Sequence, residues 1–184
     1  MANNVEDVVV ASNGSVFVAA VGAAEPTSPT ASYSGSWTDI GFISENGVQD
    51  STGRTITDIN AWQSFYPIRQ VVTAITKKIT FAMREWKTDN IIFAFGGGSV
   101  SGGQYTPPQP QDINETAMGV DWSDGDKHYR LILRRGVVSD NVDTTLSRAA
   151  AADLSIGYTL LGPPVGITDA WILLTDDPAF SPGS

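Results

Sequence analysis

His128 is the single histidine of the chain, so any Ser-His-Asp arrangement has one available base. It stands between Lys127 and Tyr129 in a stretch that reads as a hairpin strand, and no G-x-S-x-G elbow accompanies it. A histidine on a strand surface is the default. Asp124-Gly125-Asp126 has the start of a calcium loop, but the twelfth position from Asp124 is Arg135, where that chemistry needs a glutamate. A tight turn explains the triplet. Gly96-Gly97-Gly98 and Gly102-Gly103 share the composition of a phosphate cradle, yet such a cradle precedes a helix, and these glycines follow one. Glu45, Glu85, Asp121 and Asp176 are carboxylates of the kind glycosidases pair, but with 20 acidic residues a chance pair is expected. No cysteine is present, which excludes disulfides and thiolate metal sites and fits synthesis in a reducing cytoplasm. We therefore assign no catalytic, cofactor-binding or metal-binding residue, expect no cofactor, and do not read the chain as an enzyme.

The stretch that organises the remainder is Val71 to Gly96. One face carries Val71, Thr73, Ile75, Lys77, Ile79, Phe81 and Met83; the other carries Val72, Ala74, Thr76, Lys78, Thr80 and Ala82. That period of two predicts a strand about 43 Å long at roughly 3.3 Å per residue, with a bulge expected near Lys77-Lys78. A short helix should follow. Thr88 would cap it, Asp89 sits in its first turn, Ile91, Ile92 and Phe95 would face inward, and Gly96 would end it.

Further strands are expected at Val16 to Val21, Thr55 to Ile59, Met118 to Trp122, His128 to Leu133, Thr144 to Arg148, Leu154 to Leu161 and Ala170 to Leu174. Turns are expected at Asn13-Gly14, Asn46-Gly47, Asp50 to Gly53 and Ser123 to Lys127. Two long Gly/Pro-rich loops cover 22–36 and 97–111, and an irregular tail covers 175–184. Trp62, Phe65, Tyr66 and Ile68 form an apolar cluster ahead of the long strand. The fold class expected is mainly β: two packed antiparallel sheets, sandwich- or barrel-like, with one short flanking α-helix, in a single domain over 1–184.

At 19.5 kDa, with 41% hydrophobic and 17% charged residues, the chain has the composition of a soluble globular domain, with no apolar run long enough for a spanning helix. Glu6 and Asp7 stand where an export signal would be basic, so none is expected, nor any membrane partner. A net charge of −9 argues against gripping nucleic acid, which needs clustered Lys and Arg; a surface that repels DNA remains a possible use.

Three blocks carry a family resemblance. Trp37, Asp39-Ile40-Gly41-Phe42-Ile43-Ser44-Glu45-Asn46-Gly47-Val48 resembles the W-x-D-L-G-Y-I-S-E-D-G-V stretch of major tail tube proteins from long, flexible-tailed (siphovirus-type) phages of actinobacteria. Ala61-Trp62-Gln63, Arg69, Val71-Val72-Thr73, Phe81, Glu85, Asn90 and Gly96 resemble the same proteins' next block. Asp121-Trp122, Asp124-Gly125, Arg130, Arg135-Gly136 and Val138 resemble a third, although Arg134 replaces a proline often found there and loop 97–111 is longer than usual.

The resemblance implies a structural virion protein. Six copies would close into a ring, and rings would stack into a tube through which genomic DNA passes without specific binding. Implied partners are further copies of the chain, a tape-measure protein, and tail-tip and terminator proteins; the implied location is the virion tail, after synthesis in the host cytoplasm. Within that picture the long strand, with Val71, Thr73, Ile75, Lys77, Lys78 and Thr80, is expected to face the lumen, and Trp37, Phe42 and Trp62 to anchor subunit interfaces. Loops 22–36 and 97–111 would contact neighbouring rings. Two alternatives are a monomeric β-sandwich that binds carbohydrate or mediates adhesion, and a terminator protein that forms a ring but does not polymerise.

Overall fold

The computed structural model describes residues 7–109, 113–144 and 146–180. Its strands are β1 (Asn13–Ala20), β2 (Thr38–Asp39), β3 (Gln49–Ile59), β4 (Arg69–Met83), β5 (Ser99–Ser101), β6 (Gln104–Thr106), β7 (Thr116–Asp124), β8 (Lys127–Val138), β9 (Asp143–Thr144), β10 (Leu154–Leu160) and β11 (Trp171–Thr175), with one α-helix, α1 (Thr88–Ala94), between β4 and β5. The strands form two antiparallel sheets. The larger runs β2-β1-β7-β8-β10-β4-β3, with β11 beside β8 and β9 beside β10; the smaller is the β5-β6 hairpin.

β8 makes the large sheet a sandwich. Its Tyr129 to Leu133 segment pairs with β11, whereas Gly136 to Val138 pair with β10, so one long strand serves two layers. Between the layers lie Val16, Met118, Val120, Leu131 and Leu133 from one side and Ile79, Phe81, Met83, Leu154, Ile156 and Tyr158 from the other. Burying each such aliphatic side chain contributes about 1.5–3 kcal/mol. Tyr158 is fully buried and donates its hydroxyl to the Thr116 carbonyl, which satisfies the one polar atom it brings into the core.

The long strand is present and longer than expected, at 15 residues. Its bulge lies elsewhere. Thr55 pairs with Ala74 and Ile56 with Val72, so Thr73 is the extra residue, while Lys77 and Lys78 keep regular partners in Thr52 and Ser51. The bulge also changes the faces: Val72, not Thr73 or Val71, shares a face with Ile75 and Lys77.

Two expected turns are strand. Asn13 and Gly14 pair with Ser123 and Trp122 inside β1, and Asp50 to Gly53 pair along β4 inside β3; a continuous partner strand overrides turn-forming composition. Asn46-Gly47 does turn, with Gly47 at φ 67°. Loop 97–111 contains the β5-β6 hairpin in its described part, closed by Gly102 (φ 57°) and Gly103 (φ 80°); positions 110 and 111 lie outside the described residues. The strand expected at Thr144 to Arg148 is reduced to β9, with position 145 outside the described residues. The tail continues β11 through Thr175 and then forms a 3-10 turn at Pro178–Phe180, with 181–184 likewise outside.

The helix is in place, but it buries Asn90, Phe93 and Ala94 rather than Ile91, Ile92 and Phe95. Lys87 is its N-cap and makes no side-chain cap bond. Asn90 decides the orientation, because its Nδ2 donates to the Ile40 carbonyl at 2.7 Å and the Glu85 carbonyl at 2.9 Å. An amide that fastens a helix by hydrogen bonds leaves no apolar periodicity to read. Phe95 instead lies half-exposed against Tyr105 of the β5-β6 hairpin, and Gly96 closes the helix at φ 71°.

Candidate assembly surface

β3 and β4 pair over all of β3, yet the sandwich covers only the base of this hairpin. Toward the C-terminal end of β4, Ile79, Phe81 and Met83 are buried; toward its N-terminal end every residue from Arg69 to Thr76 is exposed, as is all of β3. The outer part is a two-stranded arm. Its core-side row carries on from Ile79 and Lys77 through Ile75, Val72 and Ile56, which are 66%, 49% and 52% exposed. Arg54, Asp58 and Gln70 share this side, so the exposed stripe is apolar with polar neighbours, and it continues a core row without cover from the described residues.

The other row is different in character. On the outward face of the β10-β4-β3 layer stand Thr55, Thr57, Thr73, Thr76, Thr80 and Thr159, with Lys78 among them. Thr73 Oγ1 lies 3.4 Å from Thr57 Oγ1, on this side of the arm. The Lys78 ammonium pairs with Asp140 at 2.5 Å and is neutralised, whereas Arg69, opposite Ile59 at the far end of the same face, has no carboxylate partner among the described residues. Lys77 is not on this face. It is 6% exposed on the core-side row, pairs with Asp50 at 2.6 Å, and lies 4.6 Å from the Trp171 ring, tying the arm's base to β11.

At the arm's far end, the turn between β3 and β4 displays Trp62 (99% exposed), Phe65, Tyr66 and Ile68. The turn is shaped by its own hydrogen bonds, Ser64 N-H to the Ala61 carbonyl and Ser64 Oγ to the Tyr66 carbonyl. Phe42 is a second exposed aromatic, on a corner where its N-H donates to Glu85 and its carbonyl accepts from Arg84 N-H. That donated N-H is the main reason Glu85 is held below the usual carboxylate range. Trp37 differs. It is buried beside Ile132 and Ala117, donates Nε1 to the Ala24 carbonyl, and has little surface left for a neighbour.

Loop 22–36 folds back onto the outer face of the β1-β7-β8 layer. Tyr33 stacks on Phe17 at 4.1 Å and donates its hydroxyl to Asp121, while Arg130 lies 4.3 Å over the Tyr33 ring. The Arg130 guanidinium forms a fork with both Asp121 oxygens and donates to the Ser28 and Ala31 carbonyls; Arg134 forms a second fork with Glu25. Burial and the Asp121 charge push the Tyr33 hydroxyl far above its ordinary value, so it stays protonated and keeps donating.

The residues weighed for chemistry are dispersed among structural partners. His128 Nδ1 lies 2.9 Å from Asp176, whose other oxygen accepts the His128 N-H. Asp177 accepts the Tyr129 hydroxyl, which pushes that phenol up to about 12. Asp121 belongs to Arg130 and Glu85 to the Phe42 corner. Gly125 is a hairpin turn at φ 58°. Among the described residues no group of three or more His, Asp or Glu is placed to hold a metal ion, and no helix is long and apolar enough to cross a membrane.

The sandwich thus closes loop 22–36 on itself and leaves the regular β3-β4 arm open to solvent. A family model described as Phage tail tube protein matches residues 1–183, and the chain belongs to that family. It is therefore a structural component of a virion tail. A comparison with curated protein sequences returns no match.

Proposed function

We propose that this chain is the repeating subunit of the tube: six copies close into a ring, rings stack, and the genome passes along the axis. The observation that carries this reading is the row Ile75, Val72 and Ile56, an extension of the core that its own chain leaves uncovered. A neighbouring subunit covers it, and a head-to-tail contact of this kind closes into a ring when the rotation allows.

The threonine-rich face of the β10-β4-β3 layer is the lumen side of this proposal, with Val71, Thr73, Lys78 and Thr80 on it and Ile75 and Lys77 turned to the protein. Small hydroxyls and a neutralised lysine leave DNA little to grip, with Arg69 at the far end of the face as the exception, and six copies of a chain at −9 repel it. Phe42 and Trp62 are the subunit-contact aromatics. Because loop 22–36 is fastened to its own sheet, inter-ring reach falls to the arm. The resemblance of the three sequence blocks extends the proposal to long, flexible-tailed phages of actinobacteria, with tape-measure, tail-tip and terminator proteins as partners and host cytoplasm as the place of synthesis.

Purified chain examined by light scattering and negative-stain microscopy at rising concentration should pass from small particles to rings and tubes. A single monodisperse monomer at high concentration overturns the proposal.

A further inference from the structure

At the open side of the sandwich, between the 43–50 segment and the β1-β7 layer, lies a cleft of about 490 Å³. Ile43, Val48, Val120, Trp122 and Leu131 form its apolar wall, facing a polar edge that includes Ser12, Asn13 and Ser44. That volume lies within the range of sites that hold a group the size of one or two aromatic side chains. Three carboxylates border it. Asp50 is taken by Lys77 and Asp121 by Arg130, whereas Glu45, among the described residues, makes no ion pair or hydrogen bond.

The cations show the complementary asymmetry. Among the described residues every Lys and Arg is paired with a carboxylate of its own chain except Arg54, Arg69 and Arg148. Two of those three are on the arm, and Arg69 directly follows the aromatic turn. The arm thus offers exposed aromatics beside an unpartnered guanidinium, and the body offers an apolar cleft beside an unpartnered carboxylate. In a chain of net charge −9, bodies repel one another, and this juxtaposition supplies an attraction against that background.

We propose that the arm tip of one copy seats Trp62 and Phe65 in this cleft of another copy, with Arg69 meeting Glu45 at the rim. This rests on the tube reading and names the receiving site for it. Cleft and tip are at opposite ends of one hairpin, about 30 Å apart for nine strand residues, so the contact is head-to-tail and repeats along an assembly. The tip's internal hydrogen bonds hold its turn before it meets the partner, which lowers the ordering cost of docking.

The chain has no cysteine, so engineered thiols report cleanly. Singly substituted Gln63→Cys and Ser12→Cys chains, mixed and mildly oxidised, should give a mixed disulfide dimer on a non-reducing gel that neither gives alone. Trp62→Ala should keep the thermal midpoint and near-wild-type circular dichroism while raising the concentration needed for assembly by about tenfold or more. Arg69→Glu and Glu45→Arg should each block assembly, and the double variant should restore it. Tubes that form without the mixed disulfide, and that tolerate Trp62→Ala, sink the cleft contact but leave the tube reading standing. A mixed disulfide from chains that never form tubes does the reverse, and the absence of both removes both.

Discussion

Loop 22–36 and the β3-β4 arm have exchanged the properties their sequences advertise. The loop is rich in Gly, Pro, Ser and Thr and has no ladder of its own, yet Tyr33 and Ala23 pack on the sheet and Arg130 and Arg134 fasten it. The arm is a regular ladder with β-branched residues on both strands, yet it lies open to solvent on both faces. The difference teaches that backbone regularity and burial are separate questions. An irregular segment can be finished by forks and stacked rings from its own chain, whereas a regular hairpin can be complete in its hydrogen bonds and unfinished in its side chains.

The largest effect should come from cutting the loop's anchor. Arg130→Ala removes the guanidinium from a 4% exposed site, leaving the Asp121 charge with the Tyr33 hydroxyl alone and the Ala31 carbonyl without its donor, and we expect a loss of about 3–5 kcal/mol, read by chemical denaturation. Next is Gly119→Ala, whose added methyl falls on the Tyr33 hydroxyl; about 1–3 kcal/mol should be lost, and Tyr33 fluorescence or ring NMR shifts should show it displaced. Acid should act on the body in the same sense. Glu85, Glu115, Asp176 and Asp177 are held below their ordinary values, chiefly by the Phe42 N-H, Arg135, the His128 N-H and the Tyr129 hydroxyl. Their stabilisation is complete above the ordinary carboxylate range and disappears as pH falls below about 4 through the lowered folded values, so the thermal midpoint should fall there. The smallest effect on the isolated chain should come from Ile75→Ser or Ile56→Ser, within about 0.5 kcal/mol, because these side chains are already exposed. The same variants should fail to assemble, and normal tubes from them would erase the contrast between the two regions.

Much of this was legible in the sequence. The alternation from Val71 to Met83 gave the longest strand, Gly96 the helix stop, and the Ser123 to Lys127 turn the β7-β8 hairpin. What could not be read was set by partners distant in sequence. Asp50 to Gly53 became strand because β4 runs beside it, and Asn90 turned the helix by bonding a carbonyl 50 residues away. The loop's anchoring depends on Arg130, Arg134 and Tyr33, residues whose types are common on any surface and whose meeting needs the fold. The arm's aromatics were seen as a cluster, but period alone cannot say whether a cluster faces its own core or another's.

The misaligned pairing at Thr73 has a consequence of its own. Without that extra residue in the ladder's count, strict alternation would thread Thr73 and Val71 into the greasy stripe and put Val72 among the hydroxyls. A one-residue slip works as a selector: it lines Val72 and Ile56 up behind Ile75 and leaves Thr73 beside Thr57 on the opposite side of the protruding ribbon, far beyond the point where any core could enforce the choice.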